Sequence, residues 1–182
     1  MDAFTALTNY YSNYDEEGRL LSRHGQVEFL TTIHYIEKYL RKGMRILEIG
    51  AATGRYSHYL ARKGYTVDAV ELIPHNIEIF KQNTQPDEDI RIYQGNAMDL
   101  NMLENEQYDV VLLLGPMYHL YTLQNQRQAM AEALRVLKKG GILMSAYCMA
   151  DATMIQYAFG RGMLGHVIEK GLLDTETFAV SS

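Results

Sequence analysis

The chain has 182 residues, which suits one compact domain rather than two. Apolar residues make up 47% and charged residues 21%, a globular composition that excludes a disordered chain. With 17 basic against 22 acidic residues and a net charge of -5, the basic footprint of a nucleic-acid-binding protein is missing.

The opening, MDAFTALTNYYSNYDEE, lacks a basic stretch followed by an apolar run, so no secretory leader is read there. Residues 1–42 read as a helical cap with a tyrosine cluster, Tyr10, Tyr11 and Tyr14. Within it, Phe29, Leu30, Ile33, Ile36 and Leu40 recur at the spacing of an amphipathic helix over Gly25–Leu40. From Met44 the pattern turns to strand, turn and helix in repetition. Strands are expected at Arg45–Ile49, Thr66–Val70, Ile90–Gln94, Val110–Leu114 and Ile142–Tyr147. Each is nearly continuous in apolarity, as strands covered on both faces tend to be. Between them fall helices at Arg55–Lys63, Pro74–Asn83, a short one near Leu100–Glu104, and Gln124–Leu137 stopped by Gly140-Gly141. Strands alternating with helices predict an α/β fold, doubly wound around a mostly parallel sheet. Residues 43–182 are read as that domain, with 1–42 as its cap or lid. The lone cysteine, Cys148, can close no internal bridge and build no multi-cysteine zinc site, which points to a reducing, cytoplasmic setting. No apolar stretch nears the roughly 20 residues of a membrane span. The end, Asp151–Ser182, reads as one or two helices with no closing hairpin.

The stretch Ile46–Leu72, ILEIGAATGRYSHYLARKGYTVDAVEL, is the most informative. It runs strand, glycine loop, helix and second strand, a layout used for dinucleotides and for S-adenosylmethionine. A dinucleotide site needs G-x-G-x-x-G, whose second glycine admits the pyrophosphate and whose third lets helix pack on strand. Here those positions are Ala52 and Arg55, which argues against NAD or FAD. S-adenosylmethionine has no phosphate, and its pattern of an acid before a glycine loop reads here as Glu48-x-Gly50-x-x-x-Gly54. The loop amides and the following helix N-terminus are expected to favour the ligand's carboxylate. Glu71, closing the second strand, is placed to accept both ribose hydroxyls.

These residues resemble the class I S-adenosylmethionine-dependent methyltransferases, which carry a Rossmann-like methyltransferase core, over roughly Met44–Ala150. The resemblance implies cofactor contacts from Glu48, Gly50, Ala51, Ala52 and Gly54 in the first motif, and from Glu71 and Leu72 in the second. It implies an adenine turn at Gly95-Asn96-Ala97-Met98, where Asn96 replaces the usual acid and bonds the adenine amino group through its carbonyl oxygen. It also implies backbone at Leu114 and Gly115 against the methionine moiety, with Tyr118 and His119 over the methyl-transfer site. EALRVLKKGGILM is similar to the family's helix and fifth strand. His119 is the candidate general base, since an imidazole titrates near neutral pH. Tyr14 and Arg23 in the cap are lid candidates facing the cofactor, with Tyr11 and Arg19 of suitable type.

The expected function is therefore methyl transfer from S-adenosylmethionine to a small-molecule acceptor, without a metal, nucleic acid or membrane. Two other readings stand beside it: a non-catalytic scaffold or regulator that binds the adenosyl cofactor, and a nicotinamide oxidoreductase, which Ala52 and Arg55 disfavour. Family members usually close the sheet with two further strands. Those strands are expected to be missing here, leaving an exposed edge that invites a homodimer.

Overall fold

The computed structural model describes residue 7, residues 16–147, residue 149 and residues 154–176. Tyr10, Tyr11, Tyr14 and Cys148 lie outside them. The chain divides into two compact units, residues 1–146 and 147–182.

In the first unit five strands form one sheet: β1 (Arg45–Ile49), β2 (Thr66–Glu71), β3 (Ile90–Gln94), β4 (Tyr108–Leu113) and β5 (Leu137–Ser145). Their order is β3-β2-β1-β4-β5 and every neighbouring pair is parallel. This is the α/β, doubly wound fold that the alternation of elements predicts. Around the sheet lie α1 (Glu16–Leu21), α2 (Arg23–Glu37), α3 (Arg55–Arg62), α4 (Pro74–Asn83) and α5 (Leu123–Val136).

The continuous apolarity of the strands follows from burial on both faces. Side chains alternate along a strand, so Ile46 of β1 and Val110 and Leu112 of β4 pack with Phe29, Ile33 and Ile36 of α2 and Leu60 of α3. Leu47, Ile49, Val111 and Leu113 face the other way, onto Ala129, Ala133 and Val136 of α5. Towards the N-terminal ends of the strands, buried Asp68 accepts from Arg45 Nη2 at 2.5 Å and from Tyr108 Oη at 2.8 Å. The second unit holds a π-helical turn, Met154–Phe159, and α6 (Leu164–Glu169), packed through Ala158, Val167 and Leu173.

Four expectations need correction. Leu30 is 64% exposed, because it stands about 100° round the helix from Phe29, at the edge of the stripe that Phe29, Ile33, Ile36 and Leu40 bury. The segment Leu100–Glu104 is turn rather than helix. Its backbone is bonded to α5 instead: Leu100 N–H donates to Glu132 at 2.7 Å, and the Leu100 and Leu103 carbonyls accept from Arg135 at 2.8 and 2.9 Å. Gly140-Gly141 does not stop the preceding helix, which ends at Val136 and passes straight into β5. The glycines lie inside β5 where its register with β4 shifts; Gly140 has φ 77°, and a Cβ on Gly141 would sit 2.9 Å from the Asp109 carbonyl. The last strand accordingly starts earlier than expected and ends at Ser145. No helix among the described residues is long and apolar enough to cross a membrane.

Candidate functional site

The strand order reverses at β1: the chain builds β2 and β3 on one side of it and returns to β4 on the other. In such sheets ligands bind at this reversal, in the crevice beyond the carboxyl ends of the strands. Two glycines shape it. Gly50, at φ 75°, lies so close to the exit of β4 that a Cβ there would come within 2.7 Å of the Pro116 ring. Gly115 approaches from the other side, where a Cβ would sit 3.3 Å from the Gly50 carbonyl.

The loop's own amides are largely committed. Gly50 and Ala51 N–H both donate to the Val70 carbonyl, at 2.8 and 3.1 Å, and Gly54 N–H donates to Ala51 at 2.8 Å. Ala52 N–H donates to Glu71 Oε2 at 2.8 Å. Val70, Ala51 and Glu71 thus accept from four of the loop amides that, with the start of α3, are expected to favour a ligand carboxylate. Ala52 itself adopts φ 48°, the left-handed backbone that a glycine would take more easily. Arg55 does not pack helix on strand; its guanidinium lies 4.6 Å from the Phe29 ring centroid, filling the gap between α2 and α3.

Glu48 departs furthest from its expected role. Its strand position turns it to the α3 face, where it is buried and bonded to the Ser57 hydroxyl and backbone N–H in the first turn of α3. The protein thus places its own acid on that helix N-terminus, and Glu48 does not line the cleft. Burial pushes its carboxyl up to about 8, and nearby Glu71 adds to the rise, against the opposing pull of the Ser57 bonds. Between the ordinary value of 4.5 and about 8, the folded protein holds a proton that the unfolded chain has released. Stability from this group is therefore complete below the lower value and is lost as pH rises to the upper one, at roughly 1.4 kcal/mol per pH unit. Glu48→Gln is expected to flatten that slope and to exceed the parent in stability at pH 8. Urea unfolding at half-unit steps from pH 5 to 8 measures both.

Glu71 lines the cleft at the end of β2. Besides Ala52, its carboxylate accepts from Ile73 N–H at 2.9 Å and from Asn76 Nδ2 at 3.3 Å. Burial raises its pKa from the ordinary value, while these donors and Leu72 N–H pull it down.

The cleft has a volume of about 590 Å³. Of the residues singled out in the sequence, Gly50, Ala52, Glu71, Leu72, Gly95, Asn96, Ala97, Met98, Gly115, Tyr118 and His119 line it. Ala51 does not; it is buried against Ala69 and Phe80. Gly54 lies behind the loop, packed on Phe80, and Leu114 packs on the α2–α3 side of the sheet. Arg23 is exposed at the start of α2, and no arginine or lysine lines the cleft among the described residues. Asn96 also behaves differently from expectation, because its Oδ1 closes a turn on Met98 N–H at 3.0 Å. His119 is half-buried, and that burial lowers its pKa from the ordinary value and favours the neutral ring. Leu7, Ile73, Asn76, Pro116, Leu120, Tyr121 and Asn125 line the cleft without having been picked out. Pro116 follows a glycine that the sequence marks and Asn76 lies five residues beyond Glu71, but nothing in the sequence marks Tyr121 or Asn125.

The protein family described as methyltransferase domain matches residues 47–145 of the chain. A ubiquinone biosynthesis O-methyltransferase of Methylocella silvestris is 27% identical over 140 residues, 77% of this chain and 52% of the relative. A sarcosine/dimethylglycine N-methyltransferase of Aphanothece halophytica is 33% identical over 103 residues, 54% of this chain and 36% of the relative. The chain spans about half or less of the length of these curated relatives. Among solved structures, the PH0226 protein of Pyrococcus horikoshii shares the fold with a TM-score of 0.66 and 21% identity, covering 75% of this chain and 64% of that one.

Proposed function

The chain belongs to the class I S-adenosylmethionine-dependent methyltransferases, and we propose that its cleft holds this cofactor and delivers the methyl group to a small-molecule acceptor. When bound, the cofactor supplies a methyl group on a positively charged sulfur, whose bond breaks with the electron pair staying on sulfur. The observation that carries the reading is the pairing of Glu71 with a glycine loop whose amides are already used. A carboxylate facing the cleft suits a neutral diol, and a loop with few amides to offer, shaped by Ala52 rather than glycine, does not suit a pyrophosphate. The longest bond to Glu71, from Asn76 at 3.3 Å, is the one that an incoming ribose hydroxyl would displace.

Gly95, Ala97 and Met98 offer the adenine an apolar wall and backbone groups, and the Nδ2 of Asn96 remains as a donor at its edge. Gly115, with the close approach to Gly50, leaves room for the methionine portion between β1 and β4. The main work is then positioning, which can supply roughly 7–11 kcal/mol when donor and acceptor are held at attack distance. Calorimetric titration with S-adenosylmethionine, S-adenosylhomocysteine and NAD tests the assignment. Both adenosyl ligands are expected to bind and NAD is not; NAD binding in their place overturns it.

His119 is the residue placed to take a proton from an acceptor that arrives as a hydroxyl. With its pKa lowered by burial, the ring stays unprotonated to below pH 6.5, so the acid limb of a pH–rate profile is expected below that value. His119→Ala is expected to cost about a hundredfold or more in turnover and to leave S-adenosylhomocysteine affinity unchanged. Isothermal titration beside a radiolabelled methyl-transfer assay separates the two. Weaker cofactor binding with unchanged turnover would assign the imidazole to the pocket wall instead.

A further inference from the structure

The cleft has two chemically different halves. The half on β1, β2 and β3 carries Glu71, the adenine turn and the glycine loop, and the adenosyl cofactor accounts for it. The other half, after β4, consists of Pro116, Tyr118, His119, Leu120, Tyr121 and Asn125, and nothing in cofactor recognition calls for it. It holds two phenol rings, an imidazole and a carboxamide, and no acid, lysine or arginine among the described residues. We propose that this half is the acceptor subsite and that it takes an uncharged, planar hydroxyl compound of the phenol or fused-ring hydroxy-aromatic class. The inference rests on the methyl-transfer reading above and names the acceptor that this reading leaves open.

Charge decides first. An amino acid or a phosphate ester entering this half gives up water around fixed charges, and the described residues of the wall supply no counter-charge to repay it. A neutral aromatic ring loses little solvation and gains contact with apolar and aromatic surface. Tyr121 is 84% exposed, so its ring is not needed to fill the core, and it stands beside the cleft as a surface on which an aromatic ring can stack, with Tyr118 lining the same wall. Asn125 supplies the polar reading. It sits in the first turn of α5, where its backbone N–H donates to the Thr122 cap at 3.2 Å, which fixes its place on the wall. Its side-chain amide lines the cleft with no hydrogen-bond partner among the described residues. A carboxamide both donates and accepts, which matches a hydroxyl, and it carries no charge to offset that of an ion. His119 stands on the same wall to receive the hydroxyl proton.

The test uses the full 182-residue chain saturated with S-adenosylhomocysteine. 2-Naphthol, followed by its own fluorescence, and catechol are titrated against sarcosine and phosphoethanolamine as charged probes, the last three followed by saturation-transfer NMR. Expected is saturable binding of both aromatic hydroxyls and none of the charged probes. Tyr121→Ala and Asn125→Ala are each expected to weaken 2-naphthol by about three- to tenfold with S-adenosylhomocysteine affinity unchanged. Tyr121 is exposed and Asn125 half-buried, and the Thr122 cap bond runs to the Asn125 backbone, so melting temperatures of both variants near the parent's are expected and are measured alongside. Absence of aromatic binding to the loaded protein, tighter binding of a charged probe, or variants that bind 2-naphthol as the parent does would each overturn the proposal. Failure of S-adenosylhomocysteine itself to bind is seen before any probe is added and overturns the underlying reading with it.

Discussion

Replacing Glu71 with alanine is expected to weaken S-adenosylhomocysteine binding by on the order of a hundredfold. Two hydrogen bonds to a carboxylate, at roughly 1.5 kcal/mol each as a lower figure, give that factor when 1.4 kcal/mol is tenfold. A second cost falls on the protein alone. Without the carboxylate, the N–H groups of Ala52 and Ile73 lose their acceptor on the wall of the cleft, and the left-handed turn at Ala52 loses the contact that holds it. Glu71→Gln separates these effects. The amide keeps one oxygen for one of the two backbone donors, but its NH₂ must then face the other, so the loop is strained while the side chain's volume is kept. An intermediate loss of affinity is expected for Gln, about tenfold, with a melting temperature closer to the parent than that of Ala. Calorimetry and thermal unfolding on the three proteins measure both. If Glu71→Ala binds as the parent does, the ribose is not held at β2, and the cleft reading fails at its centre.

The strands were legible for a plain reason: a sheet covered on both faces leaves almost no polar position, so β1 reads as a short apolar run broken only by Arg45 and Glu48. The face that each residue takes was not legible. Its place before a glycine loop makes Glu48 look like a ligand contact, yet alternation along β1 sends it under α3, to Ser57 nine residues away. The commitments of the loop amides were hidden for a related cause, since their acceptors, Val70 and Glu71, belong to the neighbouring strand some twenty residues on. Propensity failed at Leu100–Glu104, where a single guanidinium on α5 takes carbonyls that a helix would have used. The glycine and acid positions at the strand ends announce themselves by type. Tyr121 and Asn125 do not, because an exposed tyrosine and a helix-start asparagine are ordinary surface residues until the fold sets them beside a cleft.

Gly54→Ala is expected to be the most damaging small change to stability, at on the order of 3–4 kcal/mol. Two costs combine there: left-handed backbone at φ 89°, worth roughly 1–2 kcal/mol for an alanine, and a methyl group driven into a filled space, worth roughly 1–3 kcal/mol. The added Cβ would run into the Phe80 ring and come within 2.8 Å of His58 Nε2. Neither neighbour has room to retreat. Phe80 is fully buried beneath Ala51 and Ala69, its ring 4.5 Å from that of His58. His58 is pinned through Nδ1 to Glu88 at 2.7 Å, and Glu88 is held in turn by Arg62 at 2.6 Å. Gly64 is the control, with nearly the same φ, 86°, and open space where a Cβ would go. Gly64→Ala should therefore cost only the backbone share, about 1–2 kcal/mol. Urea unfolding of both variants isolates the packing contribution as their difference. Equal losses would mean that Gly54 serves only the turn. A larger loss at Gly54 means that the glycine is required by the closeness of α3 to α4, and the cleft's loop is then set in place from behind by Phe80 and His58.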